Sequence, residues 1–164
     1  MIPGPRHDEP ASADDYLPAR KGQGNMSKQI LWLRISYWVG AVIDVLAAIQ
    51  MLVPAIFSAT NFLPDFNPGV DYRYAMGMGA SLMIGWTVLL IWAERKPLER
   101  KGILIITIFP VIVGMVINEI WGVFFAHFLS LGACISVWVL QAVLISLFAF
   151  SYLNARNLKP GIQS

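Results

Sequence analysis

The sequence predicts an all-α integral membrane protein, a bundle of four transmembrane helices. Three observations predict it. The chain of 164 residues is 57% hydrophobic and only 13% charged, against roughly 45–50% and about 25% in soluble domains. That leaves too little polar side chain to cover a surface facing water. Four apolar stretches each reach the roughly 20 residues needed to cross about 30 Å of hydrocarbon. Lys and Arg then gather on one side of those stretches.

Residues 1–29 carry Pro3, Pro5, Pro10, Pro18, several glycines and mixed charge. They read as a disordered cytoplasmic tail. They hold no apolar run of signal-peptide length, so no cleaved secretory signal is expected there. A transmembrane domain follows over 30–153, with spans at about 30–57, 74–93, 103–127 and 128–153. Only a helix satisfies its own backbone within so short an apolar segment. The third and fourth spans are nearly continuous, so a tight helical hairpin is expected with its turn around 126–132. Residues 154–164 form a cytoplasmic C-terminal tail.

Orientation comes from the basic residues. Arg6, Arg20, Lys21, Lys28, Arg95, Lys96, Arg100, Lys101, Arg156 and Lys159 make ten of the twelve on one side. The opposite side has only Arg73. Arg34 lies near the cytoplasmic end of the first span and can snorkel. Both termini are therefore expected in the cytoplasm. The loop 58–73 is the one sizeable segment on the far side. Pro64-Asp65 and Asn67-Pro68-Gly69 are turn signals, and Phe62, Leu63 and Phe66 should fold it back over the bundle.

Asp44 falls near the middle of the first span and Glu119 in the far half of the third, beside Asn118. Gln50 and Gln141 are also within spans. A carboxylate at the bilayer centre costs on the order of 2.5–3.5 kcal/mol even on the lenient insertion scale, so such groups face inward, find a partner or bind a proton. At 1.5 Å per residue, Asp44 lies roughly 20 Å and Glu119 roughly 24 Å from the cytoplasmic ends of their helices. One shared cavity is expected, with Arg73 as the cationic partner of Glu119. Asp44, Glu119, Asn118 and Arg73 are thus the candidate polar cluster. It reads either as a ligand- or proton-handling pocket or as a structural fastening that fixes helix order.

Gly77, Ser81 and Gly85 form a small-residue stripe on the second span; Gly114, Asn118 and Gly122 form another on the third. Close packing of these two stripes is expected, within one chain or across a homo-oligomer. Pro110 should kink the third span and free a carbonyl. Trp32 and Trp92 suit an aromatic belt, while Trp86, Trp121 and Trp138 lie deeper. His127 reads as a solvated interface residue and Cys134 as a small core residue.

Several chemistries find no support. One cysteine allows no internal disulfide and no Cys-x-x-Cys chemistry. His7 and His127 belong to no metal-ligand pattern. No catalytic set, metal site or cofactor is expected. The basic run 94–101 is short and mixed, which argues against nucleic-acid binding; anionic headgroups are a better match.

The four-span plan over 30–153, and the opening of the second span, Asp71-Tyr72-Arg73-Tyr74-Ala75-Met76-Gly77-Met78-Gly79, resemble the DoxX-like small four-helix membrane proteins. The resemblance implies the four-helix plan. Some members of that family are tied to redox-associated membrane complexes, but no cysteine pair, quinone motif or haem ligand pair supports such a role here. Three classes of function remain. The first is a binding or accessory subunit, with the lipid bilayer and a membrane-protein partner as its surroundings. The second is a small proton- or cation-coupled transporter using Asp44 or Glu119. The third is an intramembrane enzyme on a lipid-like substrate, which would need His127 to reach inward.

Overall fold

A computed structural model describes the backbone of residues 17–158 and the side chains of 26–158. The tail residues 1–16 and 159–164 lie outside this range, with Arg6 and Lys159 among them. The described residues form α1 (Leu17–Leu52), α2 (Pro54–Asn61), α3 (Val70–Glu94), α4 (Gly102–Ile106), a π-helical turn (Thr107–Ile112), α5 (Val113–Phe124) and α6 (Leu131–Ala155). Four helical stretches are long and apolar enough to cross a membrane: Met26–Leu52, Val70–Glu94, Gly102–Phe124 and Leu131–Ala155. They mark the chain as a membrane protein.

Burial follows the same logic. Ser36, Asp44, Thr87, Thr107, Gln141 and Ser151 are buried, while Val70, Leu82, Val88, Phe109 and Ile117 are exposed. Polar groups turn inward and large apolar side chains face out, the arrangement a hydrocarbon solvent imposes.

The first span differs from the sequence expectation at both ends. The first helix begins at Leu17, so residues 17–29 of the expected disordered tail are helical. It stops at Leu52 instead of 57, because Pro54 has no N–H to continue it. Pro54 instead opens α2, where a missing N–H is harmless. In the third span, Pro110 sits inside the π turn, whose wider hydrogen-bond ring accommodates it.

Helix order also corrects an expectation. α3 packs along α1, not along α5, and α6 packs on α1 and on the α4–α5 span. The expected stripe-to-stripe contact is absent. A Cβ added at Gly77, Gly85 or Gly114 meets nothing within 4 Å, and Ser81 is exposed, donating only to Gly77 O (2.9 Å) in its own helix. Gly122 does permit a close approach, but to Leu129 of the returning turn, 3.0 Å from such a Cβ. The glycine at the true helix crossing is Gly40 on α1, where a Cβ would meet Leu90 Cδ1 of α3 and Phe148 Cζ of α6, both at 3.1 Å. Spacing alone could not choose between these glycines, because small-xxx-small says that an approach is allowed, not which neighbour makes it.

The end of the bundle that holds the 95–101 loop is tied by polar clamps. Lys101 Nζ donates to Ala155 O, Arg156 O and Leu158 O at 3.0, 2.8 and 3.1 Å, satisfying the last carbonyls of α6. Tyr37 OH donates to Arg100 O (3.0 Å), and the Arg100 guanidinium lies over the Trp92 ring. Arg34 pairs with Glu94 at 3.0 Å. Deeper, Ser36 and Ser151 bond at 2.7 Å, and Ser151 donates to Trp32 O at 3.3 Å. Since Ser151 gives its proton to the carbonyl, Ser36 is the donor to Ser151.

At the other end, residues 53–69 fold back over the bundle. Gln50 Nε2 donates to Thr60 Oγ1 at 2.8 Å, tying α2 to α1. Phe57, Phe66 and Tyr72 form a mutually packed aromatic knot, with ring centroids 5.1–5.8 Å apart. Phe128 joins it from the α5–α6 turn. We expect Gly40→Val to lower stability by about 1–3 kcal/mol through overpacking, and Gly77→Ala and Gly85→Ala to leave it unchanged. Thermal unfolding in detergent micelles distinguishes the two.

Candidate functional site

Two inner chambers occupy the bundle. The first, about 210 Å³, is walled by Asp44 and Gly40 of α1, Met83 of α3, Thr107 of the π turn and Gln141 of α6. The second, about 450 Å³, lies toward the folded-back segment and is walled by Glu119 and Asn118 of α5, Tyr72 and Met76 of α3, Phe57 and Asn61 of α2. They share Ala47, Gln50, Met115 and Val137. Asp44 and Glu119 therefore occupy adjoining chambers, not the single cavity the depth estimate suggested.

Gln141 links the two. It lines the Asp44 chamber, and its Nε2 donates to Glu119 Oε1 at 2.9 Å. Trp138, one turn earlier on α6, faces the same carboxyl. Glu119 Oε2 and the Trp138 indole N–H beside it are both buried without a close hydrogen-bond partner. Asp44 is 7% exposed and Gln141 4%, and Asp44 Oδ2 and Gln141 Oε1 are likewise buried without a partner. Three acceptors are thus buried without a partner, as are the hydroxyl of Tyr72, in the wall of the second chamber, and the indole N–H of Trp138. A buried acceptor left unmatched carries its full desolvation penalty, about 1–3 kcal/mol and more for a charged group.

The expected cationic partner is not there. Arg73 is exposed, lines neither chamber, and makes no ion pair among the described residues. Asn118 is exposed at the rim of the second chamber, with no side-chain hydrogen bond among the described residues. Of the four cluster candidates, the fold brings Asp44 and Glu119 to neighbouring chambers, sets Asn118 at the edge and leaves Arg73 outside.

Gln141 is the residue the sequence reading passed over as a site member. A carboxamide in a span 22 residues from Glu119 was the available signal; only the α5–α6 packing shows that they meet. His127 is exposed and lines neither chamber, so it brings no imidazole to the carboxylates. No group of three His, Cys, Asp or Glu residues converges among the described residues.

The chamber walls are otherwise apolar and unusually adaptable. Met51, Met76, Met83 and Met115 all line them, and unbranched thioether side chains repack around varied shapes. Chemically, the arrangement accepts hydrogen bonds or positive charge at its centre and apolar bulk around it. No protein family, curated protein or solved structure matches the chain. We expect Gln141→Leu to lower stability by about 1–3 kcal/mol, since it strips Glu119 of its buried donor. Adding Glu119→Gln to Gln141→Leu should recover part of that loss, read by chemical denaturation of the single and double variants.

Proposed function

We propose that this protein is a small intramembrane binding protein, free-standing or an accessory subunit of a larger membrane assembly. Its ligand has an apolar body and a head that donates hydrogen bonds or carries positive charge. The observation that carries this reading is the set of unmatched acceptors: Asp44 Oδ2 and Gln141 Oε1 in the wall of one chamber, Glu119 Oε2 beside it. Among the described residues that line the two chambers there is no Lys, Arg or His to neutralise the carboxylates. A ligand ammonium or hydroxyl donates to these acceptors in a setting where a charged hydrogen bond is strong.

A second reading, proton- or cation-coupled transport, is favoured by one feature. The two carboxylates sit in successive chambers along the bundle, linked through Gln141. Orientation belongs to the proposal too: the ten-to-one bias of basic residues puts both termini in the cytoplasm.

The test is binding of dodecylamine to the protein in nanodiscs, followed by tryptophan fluorescence, with dodecane as the headless control. We expect saturable binding of the amine, weakened about ten- to a hundredfold by Asp44→Asn, as removal of a charged hydrogen-bond partner implies. Equal affinity in wild type and Asp44→Asn would sink the reading. Amine flux into proteoliposomes that requires a pH gradient and Asp44 would favour transport over binding alone. For orientation, a glycosylation acceptor inserted after Asp65 should be modified in a eukaryotic membrane, and one inserted after Lys96 should not.

A further inference from the structure

A third space lies on the outer face of the bundle. It is an open groove of about 580 Å³ along the π turn and α5, formed by Pro110, Val111, Gly114, Ile117, Asn118 and Trp121, with Met115 at its inner edge. It is not separate from the chambers. Val111 and Met115 also wall the Asp44 chamber, while Met115, Asn118 and Trp121 also wall the Glu119 chamber. Met115 alone borders all three spaces. The gap exists because α3 packs on α1 and leaves the flank of α5 uncovered.

Building on the binding reading above, we propose that the ligand is a membrane-resident amphiphilic amine that enters sideways from the bilayer. Its alkyl tail lies in the α5 groove, its head reaches the acceptors of the inner chambers, and Met115 is the gate between them. Three observations carry this. The groove faces hydrocarbon: Ile117 is 62% exposed and Trp121 59%. It runs from Pro110 to Trp121, about 16 Å at 1.5 Å rise per residue, the length of an extended dodecyl chain. It also meets the chambers at an unbranched side chain with three rotatable bonds, the kind that swings aside without strain. The polar contents complete the fit. Asp44 and Gln141, each more than nine-tenths buried, hold acceptors without partners in the chamber that Met115 also walls, so a cationic head is drawn inward while its tail stays along the outer face of α5.

The experiment compares dodecylamine with butylamine, in nanodiscs of zwitterionic lipid, on wild type, Gly114→Leu and Met115→Ile. A Cβ at Gly114 meets nothing within 4 Å, so leucine there fills the groove without a clash in the fold. Gly114→Leu should weaken dodecylamine about threefold to tenfold by displacing its tail from packing contact with α5, and leave butylamine unchanged. Met115→Ile, stiff at its first side-chain torsion, should slow association and dissociation alike with little change in Kd, read by stopped-flow fluorescence. Asp44-dependent dodecylamine binding that is indifferent to Gly114→Leu overturns the groove and leaves the binding reading standing. No Asp44-dependent binding of either amine overturns both.

Discussion

Hydrocarbon offers a polar group no hydrogen bond, and that single constraint organises this molecule. Every element follows from where the chain can put what lipid will not take. α1 carries Ser36, Tyr37 and Asp44 on its buried side, so it becomes the helix on which α3 and α6 pack. α6 answers it with Gln141 and Ser151, both buried. The loop ends are fastened by groups that water would otherwise weaken: a lysine gripping three carbonyls at one end, an aromatic knot at the other. The same inward turning leaves a polar seam along the bundle axis.

Within that seam the matching of donors to acceptors is uneven. Near the 95–101 loop it is close to complete: Ser36 and Ser151 bond to each other, and Ser151 to the Trp32 carbonyl. Toward the chambers it fails, at Asp44, Glu119 and Gln141. A purely structural fastening would be expected to close its own bonds, as the serine pair does, because unmet polar groups weaken a bundle instead of fixing it. The contrast between the closed serines and the open carboxylates, in one chain and one solvent, supports the binding reading proposed above.

Composition and the basic-residue pattern made the four-helix plan legible, because both report on the solvent around a helix. Asp44 and Glu119 were legible as residues that must face inward. What they face was not. Depth along a helix says how far a side chain lies from a surface, but its azimuth depends on which neighbour packs there. Arg73 looked like a partner for Glu119 by depth but is exposed and lines neither chamber. Gly77, Gly85 and Gly114 had the right spacing and the wrong orientation, whereas Gly40, four residues after Ser36 on α1, takes the crossing. Pro54 was read as part of a span because its neighbours are apolar; its missing N–H counted for more than they did.

The serine bond between α1 and α6 joins residues 115 positions apart. During synthesis the first helix is complete long before the last exists. Its inward serine and aspartate would then lie against lipid with nothing to answer them. α3, packing along the full contact with α1, is the earliest shelter available, and it covers only part of that face. α1 and α3 thus form a half-built bundle that stays incomplete until the final helix leaves the ribosome. A chain cut short before α6 loses the answering serine, Gln141 and the lysine clamp together, which makes it a natural client for membrane quality control.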